Sequence, residues 1–353
     1  MDRNHSATNP LPCLVIAEAG VNHNGCLDLA HQLVDVAAEA GADVVKFQTF
    51  KAEQLASARA PKAAYQVDQT GGGDQLTMLR QLELPIAAFA ELAAHCSERG
   101  IGFLSTPFDI ASAEALIAIG MGQLKVPSGE LTNAPLLRGL AATGLPLIVS
   151  TGMATLEEVE QAIGWIAAAR AAAGHCAALA EMLTLLHCTS NYPTPLVDVN
   201  LRAMQTLAAR FALPVGYSDH TAGTAVAPLA VALGARVIEK HFTTDRNLPG
   251  PDHQASLEPD ELAQLVQQVR AAETALGSPV KGPVAAELEV RVAARRSVTL
   301  ARDLPAGAVL SAADLSLQRP GHGIAPVELE QVLGRRLKAA AAAGHTLQWA
   351  DLA

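Results

Sequence analysis

The stretch LVIAEAGVNHNGCLDLAHQLVDVAAEAGADVVKFQTF, residues 14–50, contains the repeating unit that decides the fold. It opens with an apolar run, Leu14 to Glu18, and continues through Leu27 to Ala40, where apolar residues recur at helical spacing among alanines. A second apolar run, Asp43 to Gln48, follows. Two short buried strands joined by a helix predict a βαβ unit with parallel strands.

The same alternation continues toward the carboxyl end of the chain. Six more apolar runs are predicted as strands: Gly102 to Thr106, Gln123 to Val126, Pro146 to Ser150, Leu183 to Cys188, Val215 to Ser218 and Arg236 to His241. Between them we predict helices, among them Pro85 to Arg99, Ala111 to Ile119, Leu156 to Ala172, Thr224 to Leu233 and Pro259 to Leu276. Eight strands with helical crossovers predict an α/β fold, the (β/α)8 TIM barrel.

Two segments depart from this alternation. Thr49 to Leu84 is longer than an ordinary crossover, so we interpret it as an insertion over the active face. Proline and glycine are concentrated in GSPVKGPV, which begins at Gly277. We therefore expect a barrel domain over residues 1–276, a linker over 277–296, and a small β-rich domain over 297–353, where turns such as PAG and RPGHG break short β-like pieces.

Composition excludes several classes of protein. The formal net charge of −10, without a long Lys/Arg run, argues against nucleic-acid binding. No apolar stretch is long enough to span a bilayer, and the first ten residues contain no apolar signal core. The five cysteines are widely spaced without a Cys-x-x-Cys pair, which indicates reduced thiols and a cytoplasmic location.

Polar residues follow the predicted strands at their carboxyl ends, where a TIM barrel carries its chemistry. Examples are Glu18, Lys46 with Gln48, Ser105 with Thr106, Lys125 with Ser128, Ser150, Ser190, Ser218 with His220, and Glu239 with His241. Polar groups so close to buried strands cost free energy unless they are hydrogen-bonded or used. Their succession along the chain predicts an active site at this end of the barrel.

His220 and His241 follow the seventh and eighth strands, which are neighbours in a barrel. Their imidazoles can converge on one divalent ion and leave coordination positions open for water or an aldehyde oxygen. The alternative for each is a histidine satisfied by hydrogen bonds at the barrel rim.

Lys46 and Lys125 lie in apolar strands, where a buried ammonium group needs an anionic partner. A phosphorylated carboxylate substrate meets that need, and hydroxyls that follow the strands can donate to its oxygens: Ser128, Ser150, Ser190 and Ser218. Helix N-capping is the alternative role for each serine.

Three glutamates lie near the same strand ends: Glu18, Glu130 and Glu239. One of them can act as a general acid or base, and neutralisation of Lys46 or Lys125 is the alternative. Because Glu18 has no cation beside it in sequence, we expect it to be the catalytic carboxylate. For Glu239 both roles stay open.

An ordered set of motifs resembles the bacterial N-acetylneuraminate (sialic acid) synthase family, which includes legionaminate synthases. The motifs include IAEAGVNHNG, GADVVKFQTF, KVPSGELTNAPLL, IVSTGMAT, LLHCTSNYPTP, VGYSDHT, VIEKHFTT, PGPDHQASLEPDEL and QRPGHGI. They occur in order over nearly the whole chain, which makes the set specific although each piece is short.

The resemblance implies a barrel followed by an antifreeze-like (SAF) domain, in a domain-swapped homodimer. It implies a divalent metal, manganese or else Mg²⁺ or Co²⁺, on His220 and His241, with Glu18 as the catalytic carboxylate. It assigns phosphoenolpyruvate to Lys46, Lys125, Ser128, Ser150, Ser190 and Ser218. Some relatives carry asparagine in place of Ser190. It assigns the sugar to Glu130, Tyr192, Asp252 and Arg319, with Arg319 supplied by the other subunit.

The implied reaction condenses phosphoenolpyruvate, water and N-acetylmannosamine or a related acylamino sugar to a nonulosonic acid and phosphate. A legionaminate synthase would instead use 2,4-diacetamido-2,4,6-trideoxymannose. Two other functions stay open at this point. One is a Schiff-base pyruvate aldolase that uses Lys46 or Lys125, and the other is a non-catalytic sugar-binding protein.

Overall fold

The computed structural model describes residues 12–353, which separate into two compact units, one ending at Gly277 and one spanning Ser278–Ala353. The first unit contains eight parallel strands: β1 Leu14–Gly20, β2 Val44–Thr49, β3 Gly102–Pro107, β4 Leu124–Val126, β5 Leu147–Ser150, β6 Leu183–His187, β7 Val215–Asp219 and β8 Val237–His241. Their hydrogen-bonded order is β3-β2-β1-β8-β7-β6-β5-β4. The strands form a nearly closed barrel, so the predicted fold class is confirmed.

Twelve helices accompany these strands in the described part of the first unit. They are α1 Leu27–Glu39, α2 Ala52–Leu55, α3 Ala64–Thr70, α4 Gln75–Leu82, α5 Ile86–Arg99, α6 Ile110–Ala118, α7 Ala134–Ala142, α8 Leu156–Ala172, α9 Leu179–Met182, α10 Arg202–Phe211, α11 Ala227–Ala232 and α12 Pro259–Leu276. The helices α2, α3 and α4 belong to the long segment between β2 and α5. None of the described helices is both long and apolar enough to cross a membrane.

The strands are buried on both faces, as expected for a parallel barrel covered by helices. In β1, for example, Val15, Ile16 and Ala17 are all fully buried. The helices begin at local signals in the sequence. Thr155 caps α8 by accepting a hydrogen bond from the Glu158 backbone N–H, while the Glu158 carboxylate accepts one from the Thr155 N–H.

The barrel register brings side chains from different strands to one level. Glu18 of β1 lies opposite Lys46 of β2 on one side and opposite His241 of β8 on the other. Ser218 of β7 is in register with Glu239 of β8. Residues distant in sequence therefore become neighbours at the carboxyl end of the barrel.

Helix α11 begins three residues later than the sequence predicts, at Ala227 rather than Thr224. The second helical residue is Pro228, which has no backbone N–H to donate and is therefore accommodated in the first turn of a helix. The residues between Thr224 and Ala227 form the loop that follows β7.

The second unit contains an antiparallel pair, β9 Ser297–Leu300 and β10 Leu315–Gln318, with the short helix α14 Leu329–Val332. Its own core includes Val298, Leu300 and Leu347. The segment 277–296, predicted as a linker, contains a further helix, α13 Glu287–Ala294. Glu, Leu, Arg and Ala, which favour helices, make up most of that helix.

Candidate active site

A cavity of about 220 Å³ opens at the carboxyl ends of the strands, and all eight strands or their following loops contribute to it. Its polar lining consists of Glu18, Lys46, Gln48, Thr106, Lys125, Ser128, Ser150, Ser190, Tyr192, Ser218, His220, Glu239 and His241. Ten of the thirteen residues that the sequence analysis assigned to the site line this cavity: Glu18, Lys46, Lys125, Ser128, Ser150, Ser190, Tyr192, Ser218, His220 and His241.

Two lysines and two glutamates form a buried ionic network at the floor of the cavity. The Lys46 Nζ lies 2.6 Å from a Glu18 carboxylate oxygen and 3.6 Å from Glu239. The Lys125 Nζ lies 3.5 Å from Glu239. Each glutamate is therefore a counter-ion as well as a candidate for proton transfer, including Glu18, for which the sequence showed no neighbouring cation.

The two carboxyl groups differ in their electrostatic surroundings. Burial raises the pKa of Glu18, against the opposing effect of Lys46, and the nearby charge of Glu239 raises it further. Burial acts on Glu239 in the same direction, but Lys125 and Lys46 outweigh it and lower the pKa of that carboxyl. Glu18 is thus the carboxyl group of the pair that more readily holds a proton.

Hydroxyl groups from β5 and the β4 and β6 loops surround Gly152. The Ser150 Oγ accepts a hydrogen bond from the Lys125 Nζ at 2.7 Å, and the Ser128 Oγ accepts one from the Gly152 N–H at 3.0 Å. A Cβ atom at Gly152 would lie 2.5 Å from the Ser190 Oγ and 2.8 Å from the Ser128 Oγ. We call Ser128, Ser150, Gly152 and Ser190 the hydroxyl cradle; no side chain can be added at its centre without displacing its donors.

Ser218 and the three serines of the hydroxyl cradle do not cap any helix in the described part of the chain. The N-caps of the nearest helices, α7 and α8, are Asn133 and Thr155. Ser218 instead donates a 2.9 Å hydrogen bond to Glu239. The capping alternative is therefore excluded, and these hydroxyls face the cavity.

His220 and His241 lie side by side, with ring centroids 5.8 Å apart. The His220 Nδ1 lies 2.7 Å from the Thr189 carbonyl oxygen, which requires a proton on Nδ1 and leaves Nε2 as an unprotonated acceptor. The Tyr192 hydroxyl lies 3.0 Å from that Nε2. Burial lowers the pKa of both histidines, so both imidazoles are neutral.

The pair fits a divalent metal ion. The His220 Nε2 is unprotonated, and the His241 Nδ1 is buried without a hydrogen-bond partner among the described residues. A neutral imidazole whose other nitrogen is fixed by a carbonyl is a common metal ligand. Within residues 12–353, no cluster of three or more His, Cys, Asp or Glu side chains is arranged to hold a metal ion, and the imidazole pair by itself would leave coordination positions open.

A second cavity of about 140 Å³ adjoins the first and shares Gln48, Tyr192 and His241 with it. Asp252 lines this side cavity, and burial raises the pKa of its carboxyl to about 6. Glu130 lines neither cavity, and its carboxylate accepts a 2.6 Å hydrogen bond from Asn133. Arg319 is exposed in the second unit, directly after β10.

Three lining residues were named at the strand ends in the sequence analysis without being given a single role: Gln48, Thr106 and Glu239. The Gln48 Nε2 donates to Glu18 at 3.4 Å, and Thr106 accepts a 3.1 Å hydrogen bond from Lys46. Glu239 bridges the two lysines. The sequence position of Gln48 already indicated that it lines the cavity, because Gln48 follows Lys46 by two residues in the same strand and therefore points to the same face.

Comparison with known proteins shows one family across the chain. Residues 33–281 match the NeuB family and residues 295–353 match the SAF domain. The N,N'-diacetyllegionaminic acid synthase of Legionella pneumophila is 52% identical, covering 96% of this chain and 94% of its own length. The Campylobacter jejuni synthase of the same description is 46% identical, over 91% and 95%. The solved N-acetylneuraminic acid synthetase of Leptospira borgpetersenii is 36% identical with a TM-score of 0.68, over 79% and 90%.

Proposed function

The chain belongs to the NeuB family and ends in a SAF domain, and from that premise we propose that it condenses phosphoenolpyruvate with an open-chain acylamino sugar. Water is the third substrate, and the products are a nonulosonic acid and phosphate. The proposal rests on one cavity with two kinds of lining. One half carries two lysines and several serine hydroxyls, and the other half carries the imidazoles of His220 and His241. The first half suits a phosphorylated carboxylate, and the second suits the aldehyde end of a sugar.

Phosphoenolpyruvate would be held by Lys46, Lys125 and the hydroxyl cradle, with Ser218 beside them. Both ammonium groups are buried, so their attraction to the substrate's anionic groups is weakly screened. The serine hydroxyls are candidate donors to the phosphate, and the Gly152 N–H holds the Ser128 Oγ in place among them. This arrangement orients the enol carbon of the substrate toward His220 and His241.

Bond formation joins the methylene carbon of phosphoenolpyruvate to the aldehyde carbon of the sugar, whose oxygen becomes a hydroxyl. Water adds to the carbon that bears the phosphate, and the resulting tetrahedral intermediate releases phosphate by carbon–oxygen cleavage. Glu18 would exchange a proton with that water, and the raised pKa that burial gives its carboxyl group supports this role. Gln48, which donates to Glu18, orients the carboxyl group.

A divalent ion, manganese or else Mg²⁺ or Co²⁺, would be held by His220 and His241 and would polarise the aldehyde oxygen. Tyr192 contacts the His220 imidazole through its hydroxyl and packs against it, with the ring centroids 4.2 Å apart and the ring planes tilted by 32°. Tyr192 therefore fixes the imidazole plane and forms a wall for the sugar.

The sugar we favour is 2,4-diacetamido-2,4,6-trideoxymannose, which makes the product a legionaminic acid. The two relatives described as legionaminic acid synthases are 52% and 46% identical to the chain. The solved structure described as an N-acetylneuraminic acid synthetase is 36% identical. N-acetylmannosamine is the alternative substrate. Two of the residues assigned to the sugar differ in their support. Asp252 lines the side cavity, whereas Glu130 lines neither cavity.

We further propose a domain-swapped homodimer in which Arg319 of the partner subunit faces the sugar. Support comes from exposed apolar side chains in the segment that precedes the SAF domain: Val280, Val284, Leu288, Val290 and Val292. Such side chains gain free energy when a second copy of the chain covers them. The five cysteines are free, which supports a reducing, cytoplasmic location.

A phosphate-release assay with phosphoenolpyruvate and each of the two sugars tests the reaction. We expect release only when a sugar is present, with loss in EDTA and recovery with Mn²⁺. Phosphoenolpyruvate labelled with oxygen-18 at the bridging position should give labelled phosphate. Borohydride trapping of a pyruvate adduct on Lys46 or Lys125, with activity that resists EDTA, would instead identify a Schiff-base aldolase.

A further inference from the structure

We propose that Asn22 and Ser256 are positioning residues for Asp252, and that their hydrogen bonds hold this carboxyl group in place beside His241. The inference rests on the proposed function, because Asp252 is assigned to the sugar of that reaction. It gives a role to the turn NHNG, residues 22–25, which follows β1 and lines neither the catalytic cavity nor the side cavity.

Asp252 lies in a long loop that leaves the barrel at the end of β8 and returns to it there. We call residues 242–257 the β8 loop. Its two ends are joined, because the Leu257 N–H donates to the His241 carbonyl oxygen and the Thr243 N–H donates to the Leu257 carbonyl oxygen, both at 2.9 Å. These bonds fix the ends of the loop, and its interior needs contacts of its own.

The interior of the β8 loop forms one wall of the side cavity. The loop contributes Pro251 and Asp252 to the lining, and helix α4 contributes Met78, Leu79 and Leu82. His241 borders the same cavity. The position of the loop interior therefore sets the distance between Asp252 and the imidazole that the proposed function places near the aldehyde end of the sugar.

Ser256 holds the backbone of Asp252. The buried Ser256 Oγ donates a 2.7 Å hydrogen bond to the Asp252 carbonyl oxygen, and the Ala255 N–H donates to the same oxygen at 3.2 Å. A carbonyl oxygen can only accept, so the proton of the Ser256 hydroxyl points to Asp252. The Ser256 Oγ can then accept a hydrogen bond from a further donor.

Asn22 supplies that donor. Its Nδ2 donates to the Ser256 Oγ at 2.9 Å and to the Phe242 carbonyl oxygen at 2.8 Å. The second bond fixes the orientation of the amide, because only its nitrogen can donate to a carbonyl oxygen. Phe242 follows His241 directly. One buried amide group thus joins the end of β8 to the interior of the β8 loop.

The NHNG turn is itself well held and contacts the β8 loop a second time. The Asn22 N–H donates to the Ala19 carbonyl oxygen at 2.8 Å, which closes the turn on β1. The Asn24 Oδ1 lies 3.2 Å from the His253 Nε2, and a Cβ atom at Gly250 would lie 2.8 Å from the same oxygen. The turn is therefore a fixed support for the segment that carries Asp252.

The simpler interpretation is that Asn22 and Ser256 only stabilise the fold. Both side chains are buried, and buried hydrogen bonds contribute to stability wherever they occur. The path of these bonds favours a positioning role, because it ends on the backbone of Asp252 itself. A structural role predicts lower stability with an unchanged KM for the sugar. A positioning role predicts a higher KM that depends on the Asp252 carboxyl group.

Ser256→Ala is the most conservative test. It removes one hydroxyl and leaves Asn22 bonded to Phe242 and the Asp252 carbonyl oxygen bonded to Ala255, so we expect the barrel to stay folded. In the phosphate-release assay with Mn²⁺, its KM for 2,4-diacetamido-2,4,6-trideoxymannose should rise about 3- to 10-fold. Its kcat and its KM for phosphoenolpyruvate should change by less than about twofold. Asn22→Ala, which loses both bonds of the amide, should raise the KM for the sugar at least as much.

A double-mutant cycle with Asp252→Asn separates positioning from stability. If Ser256 acts through the Asp252 carboxyl group, adding Ser256→Ala to Asp252→Asn should raise the KM for the sugar by less than about a further twofold. Ser112→Ala is the matched control, because Ser112 is also buried and its hydroxyl donates a 2.8 Å hydrogen bond to Asp109, outside both cavities. The control should leave the KM for both substrates unchanged.

The outcomes distinguish this inference from the proposed function. If folded Ser256→Ala has the KM of the wild-type protein for the sugar, or if the effects of Ser256→Ala and Asp252→Asn simply add, the inference is wrong and the proposed reaction stands. If wild-type protein releases no phosphate with any sugar, the proposed function itself is wrong.

Discussion

Replacing Gly152 by alanine should weaken the binding of phosphoenolpyruvate without unfolding the barrel. The new methyl group would lie 2.5 Å from the Ser190 Oγ and 2.8 Å from the Ser128 Oγ, distances that real Cβ atoms do not tolerate. At least one hydroxyl must therefore move. The backbone at Gly152 lies outside the left-handed region, so alanine introduces no dihedral strain there.

The size of the effect follows from the bonds that are lost. A hydrogen bond to a charged group contributes about 1.5–3 kcal/mol, and about 1.4 kcal/mol corresponds to a factor of ten. Displacement of one hydroxyl from the phosphate should thus raise the KM for phosphoenolpyruvate about 10- to 100-fold. The KM for the sugar should change little, because the cradle lies on the phosphate side of the site.

Steady-state phosphate release at varied phosphoenolpyruvate, together with thermal unfolding, measures both parts of this prediction. Gly164→Ala is the matched control, because Gly164 is exposed in α8 and a Cβ there meets nothing within 4 Å. It should leave the KM unchanged and stabilise α8 by about 0.5–1 kcal/mol. A KM for phosphoenolpyruvate within twofold of wild type in folded Gly152→Ala would show that the cradle does not hold the phosphate.

Four other predictions concern the charges and the metal. Glu18→Gln should lower kcat by about 100- to 10,000-fold in the phosphate-release assay, and a near-normal kcat would remove Glu18 from proton transfer. His220→Ala should lose the Mn²⁺-dependent recovery after EDTA treatment, and Mn²⁺ titration followed by paramagnetic resonance should show weaker binding. Asp219→Asn should lower the free energy of unfolding in urea by about 3–5 kcal/mol, because it removes the carboxylate 3.1 Å from the buried Lys240 ammonium; an unchanged midpoint would contradict this. Burial raises the pKa of Asp252 from 3.8 to about 6, so deprotonation destabilises the folded protein as pH rises through that range; Asp252→Asn should be more stable at pH 7 by up to about 3 kcal/mol while its KM for the sugar rises.

The barrel could be predicted from sequence because its signals are local. Each strand is a short apolar run, and each run ends in polar residues that mark the carboxyl end. The stretch from Leu14 to Phe50 alone displays the repeating unit. Helix boundaries were less predictable, as at Pro228, because a turn and the first turn of a helix differ by one or two backbone angles rather than by side-chain pattern.

The pairing of residues within the site could not be read from the sequence. Glu18 and Lys46 lie in successive strands with helix α1 between them in sequence, and only the barrel register places their charged groups 2.6 Å apart. Glu239 likewise meets Lys125 from across the barrel. Sequence identifies which side chains occupy strand ends, but long-range register decides which charges meet.

The side cavity was even harder to predict from the sequence. Met78 and Leu82 belong to an insertion whose helices are short, and in sequence they look like ordinary apolar positions. Their position beside the active site depends on how the insertion packs over the barrel, and the periodicity of apolar residues in the sequence does not indicate this packing.

The buried network of Lys46, Lys125, Glu18 and Glu239 has a consequence for how substrate arrives. Glu239 and Glu18 offset part of the charge of the two lysines within a few ångströms, and the whole chain carries a net charge of −10, so little attraction for an anion extends beyond the cavity. Phosphoenolpyruvate is therefore not drawn in from a distance, and its association rate should depend only weakly on ionic strength. We therefore expect the site to select its anionic substrate by direct contacts inside the cavity rather than by long-range attraction.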